Sequence, residues 1–183
     1  MQSPVSHKIL DQQFWLTTDR TMFWEEEKAL VLSDLHFGKT GHFRKSGIAV
    51  PASVYKEDLQ RLIVQIQYFQ PKELIIVGDM FHSRVNKELE LFLKWRSDLS
   101  GLNIRLIRGN HDILEEGWYA SAGIQLCRQT HSMRHFHFIH DISDQLNSKE
   151  GFIKNKSGES SYFFSGHIHP GIRIEGGGRT ERL

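Results

Sequence analysis

Aspartate, asparagine and histidine recur along this chain in five short motifs: Asp34-Leu35-His36, Gly78-Asp79-Met80-Phe81-His82, Gly109-Asn110-His111-Asp112, His140 and Gly166-His167-Ile168-His169. Each offers hard oxygen or imidazole donors, and each follows an apolar run, which predicts a place at the C-terminal end of a buried strand. A sheet edge that gathers two aspartates, an asparagine and several histidines concentrates polar and charged groups at a cost. A pair of divalent metal ions offsets that cost. Mixed carboxylate, amide and imidazole donors suit Mn, Fe or Zn better than Mg or Ca, which prefer all-oxygen shells, and Mn is the first expectation. Two such ions can activate a water and clamp phosphate oxygens during an in-line displacement. The chemistry implied is metal-dependent hydrolysis of phosphate esters.

The spacings support a shared site. Asp34 and His36 are two apart, so in a strand they face the same way. Gly78-Asp79 sets a carboxylate on a tight turn, where one oxygen can go to each of two ions. His167 and His169, again two apart, can both reach a site from a turn. Of the 11 histidines, six lie in the motifs, whereas His7, His42, His131, His135 and His137 do not.

The elements that must position these residues are legible in outline. Lys28 to Ser33, Glu73 to Val77 and Asn103 to Ile107 read as buried strands leading into Asp34, Gly78 and Gly109. Between them, Ser53 to Phe69 carries apolar residues at helical spacing, with Ser53 as its cap, and Asn86 to Leu99 reads as a second amphipathic helix. Phe14–Thr17 and Thr21–Trp24 form a small hairpin around Asp19-Arg20. Ile113 to Tyr119 is expected to be a short helix. Ile124–Leu126, Ser132–Ile139 and Ser161–Ser165 read as strands of an antiparallel or mixed sheet. Ser143 to Ser160 reads as an exposed loop, and Gly171–Glu175 as a last short strand. The pattern implies one domain over residues 1–183, a layered α/β/β/α sandwich of mixed sheets with the metal site at strand C-terminal ends. Arg179 to Leu183 reads as the start of another strand, which leaves open a missing C-terminal strand or a truncated chain.

Composition narrows the function classes. The 183 residues carry 23 Lys plus Arg against 22 Asp plus Glu, a net charge of +1, so any basic surface for nucleic acid must be local. The single Cys127 excludes an internal disulfide and a cysteine zinc site. Met1 to Asp11 is polar without an apolar core, and no apolar run approaches the roughly 20 residues that span a bilayer. The expectation is a cytoplasmic protein without a membrane partner.

Taken in order, Asp-x-His, Gly-Asp-x-x-His, Gly-Asn-His-Asp, His and Gly-His-x-His resemble the signature of the calcineurin-like metallophosphoesterases, from about Asp34 to His169. The resemblance implies Asp34, His36, Asp79 and His169 around one metal and Asp79, Asn110, His140 and His167 around a second. It also implies His111 as the non-ligand histidine that stabilises the transition state or protonates the leaving oxygen. Ser33-Asp34-Leu35-His36-Phe37-Gly38-Lys39, Phe43-Arg44-Lys45-Ser46-Gly47-Ile48 and Val50-Pro51 resemble the bacterial ligase-associated DNA-damage-response phosphoesterases. That branch implies DNA as substrate, with a DNA ligase, a helicase and a nuclease as partners in repair. Protein phosphatases of the superfamily have Gly-Asp-x-x-Asp-Arg-Gly. Here His82 stands in place of the later Asp, as in nuclease-like branches, where it would support His111 or touch a substrate phosphate.

Plainer readings stand beside these. His135 and His137 compete with His140 for the ligand role. Lys39, His42, Arg44 and Lys45, with Phe43 available to stack on a base, suit a nucleic-acid backbone or a merely solvated loop. Arg84 and Arg108 either meet substrate or form surface ion pairs. Asp112 either orients His111 or caps the following helix. Trp15 and Trp24 read as packing residues. A small-molecule phosphomonoesterase, a cyclic-nucleotide phosphodiesterase and a repair-complex binding module with weak catalysis are the functional alternatives to a DNA nuclease.

Overall fold

The computed structural model describes residues 2–37, 53–81, 87–143, 160–168, 173–176 and 179–182. Seven strands form the main sheet in chain order: β1 (Val5–Ile9), β2 (Gln12–Leu16), β3 (Met22–Trp24), β4 (Ala29–Leu32), β5 (Glu73–Val77), β6 (Asn103–Ile107) and β7 (Ile124–Cys127). The first four run as an antiparallel meander, and β4 to β7 are parallel. Parallel neighbours need a crossover. Helices α1 (Ser53–Phe69), α2 (Lys87–Asp98) and α3 (Glu116–Ser121) lie in the three crossovers. Among the described residues, no helix is long and apolar enough to cross a membrane.

Strand alternation splits the core into two layers. On one face Leu30, Leu32, Leu74, Ile76 and Leu106 pack with Leu62 of α1, Phe92 of α2 and Tyr119 of α3. On the other, Ala29, Val31, Ile75, Val77 and Ile107 pack with Phe14, Trp24, Phe136 and Phe138. That second layer joins the main sheet to a smaller one of β8 (Thr130–Met133), β9 (Phe136–Ile139) and β10 (Tyr162–Ser165), ordered β10-β9-β8. Aromatic contacts fill the seam: the ring centroids of Trp24 and Phe136 lie 5.0 Å apart, and those of Phe14 and Phe136 5.2 Å. Because β4 to β6 are covered on both faces, their sequences are near-continuous apolar runs. The layered sandwich of mixed sheets expected from the sequence is the architecture observed.

Three local expectations change. Ser132–Ile139 is not one strand but the hairpin β8–β9, turned at Arg134, whose φ is 55°. Ile124 to Cys127 belongs to the main sheet, parallel to β6, not to the smaller one. The helix expected over Ile113–Tyr119 starts at Glu116, because the carbonyls of Asp112 and Leu114 accept from the Arg108 guanidinium at 3.0 and 3.2 Å. The polar β1, without an apolar pattern to announce it, is held by main-chain pairing with β2. A further two-stranded ladder joins β11 (Arg173–Gly176) to β12 (Arg179–Arg182).

Candidate metal centre

Parallel β4, β5 and β6 end on one edge of the main sheet, and β9 and β10, parallel to each other, end beside them. From these ends come Asp34, Asp79, Asn110, His140 and His167. The β4 and β5 connections stay laced beyond their strands: Asp34 N–H donates to Gly78 O at 3.0 Å, His36 N–H to Asp79 O at 2.8 Å, and Phe37 N–H to Met80 O at 2.8 Å. Asp34 and His36 therefore do not share a strand face. Each takes a left-handed backbone past the strand end, with φ of 55° and 48°, as do Asp79 at 52° and His167 at 64°. Aspartate and histidine tolerate that region better than bulkier residues. It bends the donors into one place where straight strands would splay them.

Two groups of donor atoms result, each with its atoms within 4.8 Å of one another: Asp34, His36 and Asp79, and Asp79, His140 and His167. Asp79 belongs to both. It is almost completely buried, and its Oδ1 accepts from His111 N–H at 2.9 Å while Oδ2 lies 3.4 Å from His140 Nε2. Burial alone would raise its carboxyl. Hydrogen bonds from His140 and the His111 amide, with the charges of both imidazoles, hold it at about 2. Close approach here requires glycine: a Cβ on Gly109 would fall on the backbone nitrogen and carboxylate of Asp79, and one on Gly78, at φ 81°, would collide with the His140 ring.

His140 carries the test of whether a cation fits. Its Nδ1 lies 3.0 Å from Val77 O, which can only accept, so Nδ1 holds a proton and donates. Nε2 then points at two more acceptors, Asn110 Oδ1 at 3.1 Å and Asp79 Oδ2 at 3.4 Å. Three acceptor atoms converging without a cation between them repel, so the arrangement needs either a proton or a metal ion on Nε2. The same geometry sets the ring's titration. Burial would lower it, but the Asp79 hydrogen bond, the Val77 carbonyl and the charges of Asp79 and Asp34 raise it to about 8. Asp34, His36, Asp79, Asn110, His140 and His167 thus fit divalent ions that accept oxygen and nitrogen donors.

This raised pKa predicts a pH signature in metal-stripped protein. A histidine raised in the folded state contributes stability that is fully present below its unfolded pKa of about 6.5 and is lost as pH rises through the folded value. Thermal melting in EDTA should therefore show a loss on the order of 1–2 kcal/mol between about pH 6.5 and pH 8 that is absent in His140→Gln. Identical profiles in that window would refute it.

The structure shows where the residues of two alternatives left open by the sequence lie. His140 stands beside Asp79, whereas His137 is bonded to Ser132 Oγ at 2.8 Å and stacked on Phe163, and His135 lies in the β8–β9 turn. Asp112 caps no helix, since Glu115 occupies the N-cap of α3. Its carboxylate joins two loops: Oδ1 accepts from Phe81 N–H at 3.0 Å and Oδ2 from Gly109 N–H at 2.9 Å. Burial pushes this carboxyl up to about 6, against those two hydrogen bonds and with the charge of Asp79 adding to the rise. Asp112 pins the loop that bears Asp79 to the loop that bears Asn110 and His111. Asp112→Ala should cost about 2–3 kcal/mol in denaturant unfolding by orphaning two buried amides, and Asp112→Asn, which retains one acceptor, about half of that. A loss below about 0.5 kcal/mol in the alanine variant would remove the clamp from the account.

His111 sits half-buried at the same edge, its ring 5.5 Å from that of His36. His167 is exposed, 3.9 Å from Asp141 Oδ2, and its backbone N–H donates to Asp34 Oδ1 at 3.3 Å. His82, His169, Lys39, Arg44 and Arg84 lie outside the described residues, as do His42, Phe43 and Lys45. Beside His140 and His167 opens a cavity of about 440 Å³, with Arg108, Arg128, Gln129 and Thr130 in its walls. Of these only Arg108 drew attention in the sequence. Arg128 and its neighbours carry no motif, but they directly follow β7, the next strand along the edge that supplies the metal donors.

Among curated proteins, none matches the chain. Among solved structures, the crystal structure of Pseudomonas putida nuclease MPE is similar, with a TM-score of 0.75 and 25% identity over 98% of this chain and 79% of that one. The model of the calcineurin-like phosphoesterases matches residues 27–175, from the approach to β4 into β11. That span takes in every donor of the centre, and the chain belongs to the calcineurin-like phosphoesterase family, hydrolases of phosphate esters that use divalent metal ions.

Proposed function

We propose that this phosphoesterase hydrolyses phosphodiester bonds in nucleic acid, as a DNA nuclease or phosphodiesterase working in repair, with two divalent ions, Mn first. The observation that carries the nucleic-acid reading is the likeness to the Pseudomonas putida nuclease across nearly the whole chain. The two-ion reading rests on Asp79, whose carboxylate belongs to both donor groups.

Asp34, His36 and Asp79 would hold one ion, and Asp79, Asn110, His140 and His167 the other. When bound, the ions supply Lewis-acid stabilisation of phosphate oxygens and an acidified water. The chain's own residues do the rest. Val77 O fixes the His140 tautomer and so keeps Nε2 directed into the centre. Asp112 and the His111 amide hold the Asn110-His111 loop against Asp79. His111, outside both donor groups found among the described residues, would hold a proton for the leaving oxygen on its imidazole, a role supported by its ring lying 5.5 Å from that of His36.

The test compares bis(p-nitrophenyl) phosphate, p-nitrophenyl phosphate and labelled single- and double-stranded DNA in the presence of Mn. Cleavage of the diester and of DNA, lost in EDTA, is the expected result. Turnover of the monoester alone would replace this reading with a small-molecule phosphatase. Bound metal without any turnover would replace it with a binding module.

A further inference from the structure

Arg128 stands exposed in the cavity wall. Arg108 is anchored, giving hydrogen bonds to two carbonyls of its own loop. Arg128, by contrast, has a side chain 76% exposed and is held, among the described residues, by Glu116, its Nε and Nη2 donating to the two carboxylate oxygens at 3.0 and 3.1 Å. Exposed pairs of this kind contribute little to stability, so stability does not account for it. Glu116 also lies 3.6 Å from Arg108 Nη1. Two guanidinium groups thus share one carboxylate, which leaves one positive charge at the rim. Asp141, the carboxylate among the lining residues, accepts from Ser143 and lies 3.9 Å from His167 Nε2.

The cavity therefore runs from the Asn110, His140 and His167 donors to a guanidinium held in a fixed orientation. Its volume of about 440 Å³ is within the range of sites that enclose small ligands, and Gln129 and Thr130 add neutral polar groups along the way. We propose that this cavity receives the nucleotide unit next to the scissile phosphate, with Arg128 meeting the neighbouring phosphate of the chain. The proposal rests on the nucleic-acid reading above and adds the part of the strand that is held. A guanidinium oriented by a carboxylate presents its remaining N–H groups to a phosphate with less loss of side-chain freedom than a free arginine.

Arg128→Ala and Arg128→Lys are compared with wild type on a short single-stranded DNA and on bis(p-nitrophenyl) phosphate, which has no neighbouring phosphate, over a range of salt. In Arg128→Ala, KM for the DNA should rise roughly tenfold more than KM for the small diester, the equivalent of one charge-assisted contact. The slope of log KM against log salt for DNA should shrink by about 0.7, the share of one phosphate contact to a single strand. Arg128→Lys should recover that slope, because it keeps the charge although it loses the two-bond pairing with Glu116. An unchanged DNA KM and salt slope in Arg128→Ala would overturn the proposal and leave the nuclease reading intact. So would an equal rise for both substrates, or a lysine variant that behaves as alanine. Turnover of the small diester by wild type with no cleavage of DNA would overturn both.

Discussion

Asp79→Ala should lose metal on dialysis and lose phosphodiester turnover by on the order of a thousandfold, about 4 kcal/mol of transition-state stabilisation. No other side chain belongs to both donor groups among the described residues, so no other single truncation empties both. The same change frees His140. Without the Asp79 hydrogen bond and charge, the main influences raising its pKa are gone and burial drives it back down. Asp79→Asn separates the two roles. An amide oxygen can still accept from His111 N–H, where Asp79 Oδ1 now does so at 2.9 Å, and so keeps the loop in place, but it brings no charge to an ion. At about pH 8 and above, where the His140 contribution is lost in wild type as well, the asparagine variant should therefore melt close to wild type in EDTA and still bind metal poorly. Metal content by mass spectrometry, set against turnover of bis(p-nitrophenyl) phosphate, checks both statements. An Asp79→Ala protein that retains two metals and wild-type turnover would exclude the centre described here.

Gly109→Ala should be nearly as damaging, although the residue carries no chemistry. A methyl group there would fall on the backbone nitrogen and carboxylate of Asp79, with Cγ at 3.0 Å. Neither side can give way. Asp79 is tied by the His111 amide, and Gly109's own N–H is bonded to Asp112 Oδ2 at 2.9 Å. Overpacking of this kind costs about 1–3 kcal/mol, and displacement of a ligand's support commonly costs about 10–100-fold in metal affinity. Gly101→Ala is the control, because a Cβ there meets nothing within 4 Å. It should remain within about 0.5 kcal/mol of wild type. Equal melting temperatures and metal affinities for the two variants would show that the β5 and β6 connections are not as tightly joined as described.

The strand ends were legible because burial on both faces leaves its mark locally. Ala29–Leu32, Glu73–Val77 and Asn103–Ile107 are apolar runs too short for helices and are followed at once by polar residues, so the register of Asp34, Asp79 and Asn110 with the sheet edge could be read directly. The β8–β9 hairpin was not legible. Thr130 to Ile139 contains no Gly, Pro or Asn-Gly turn, and its reversal depends on Arg134 taking a left-handed backbone. Arg134 is held there by an ion pair with Glu27, 107 residues earlier in the chain, at 2.6 Å. Asp112 was read as a partner of His111 or a helix cap because both are local roles, whereas Phe81 N–H, one of its partners, is 31 residues away.

Which chemistry is possible is written in the residues alone: the donor types, their order and their places after buried strands. Tertiary structure decided what those donors can do together. Side-chain type and apolar periodicity are local properties, fixed by residues a few positions apart. The direction of a lone pair is not, since His140 faces Asp79 and Asn110 only because Val77 O, 63 residues away, takes the proton on its other nitrogen. The cavity wall is likewise a product of strand order, which sets the end of β7 beside the end of β6 and brings Arg128 to the edge where the metal donors stand.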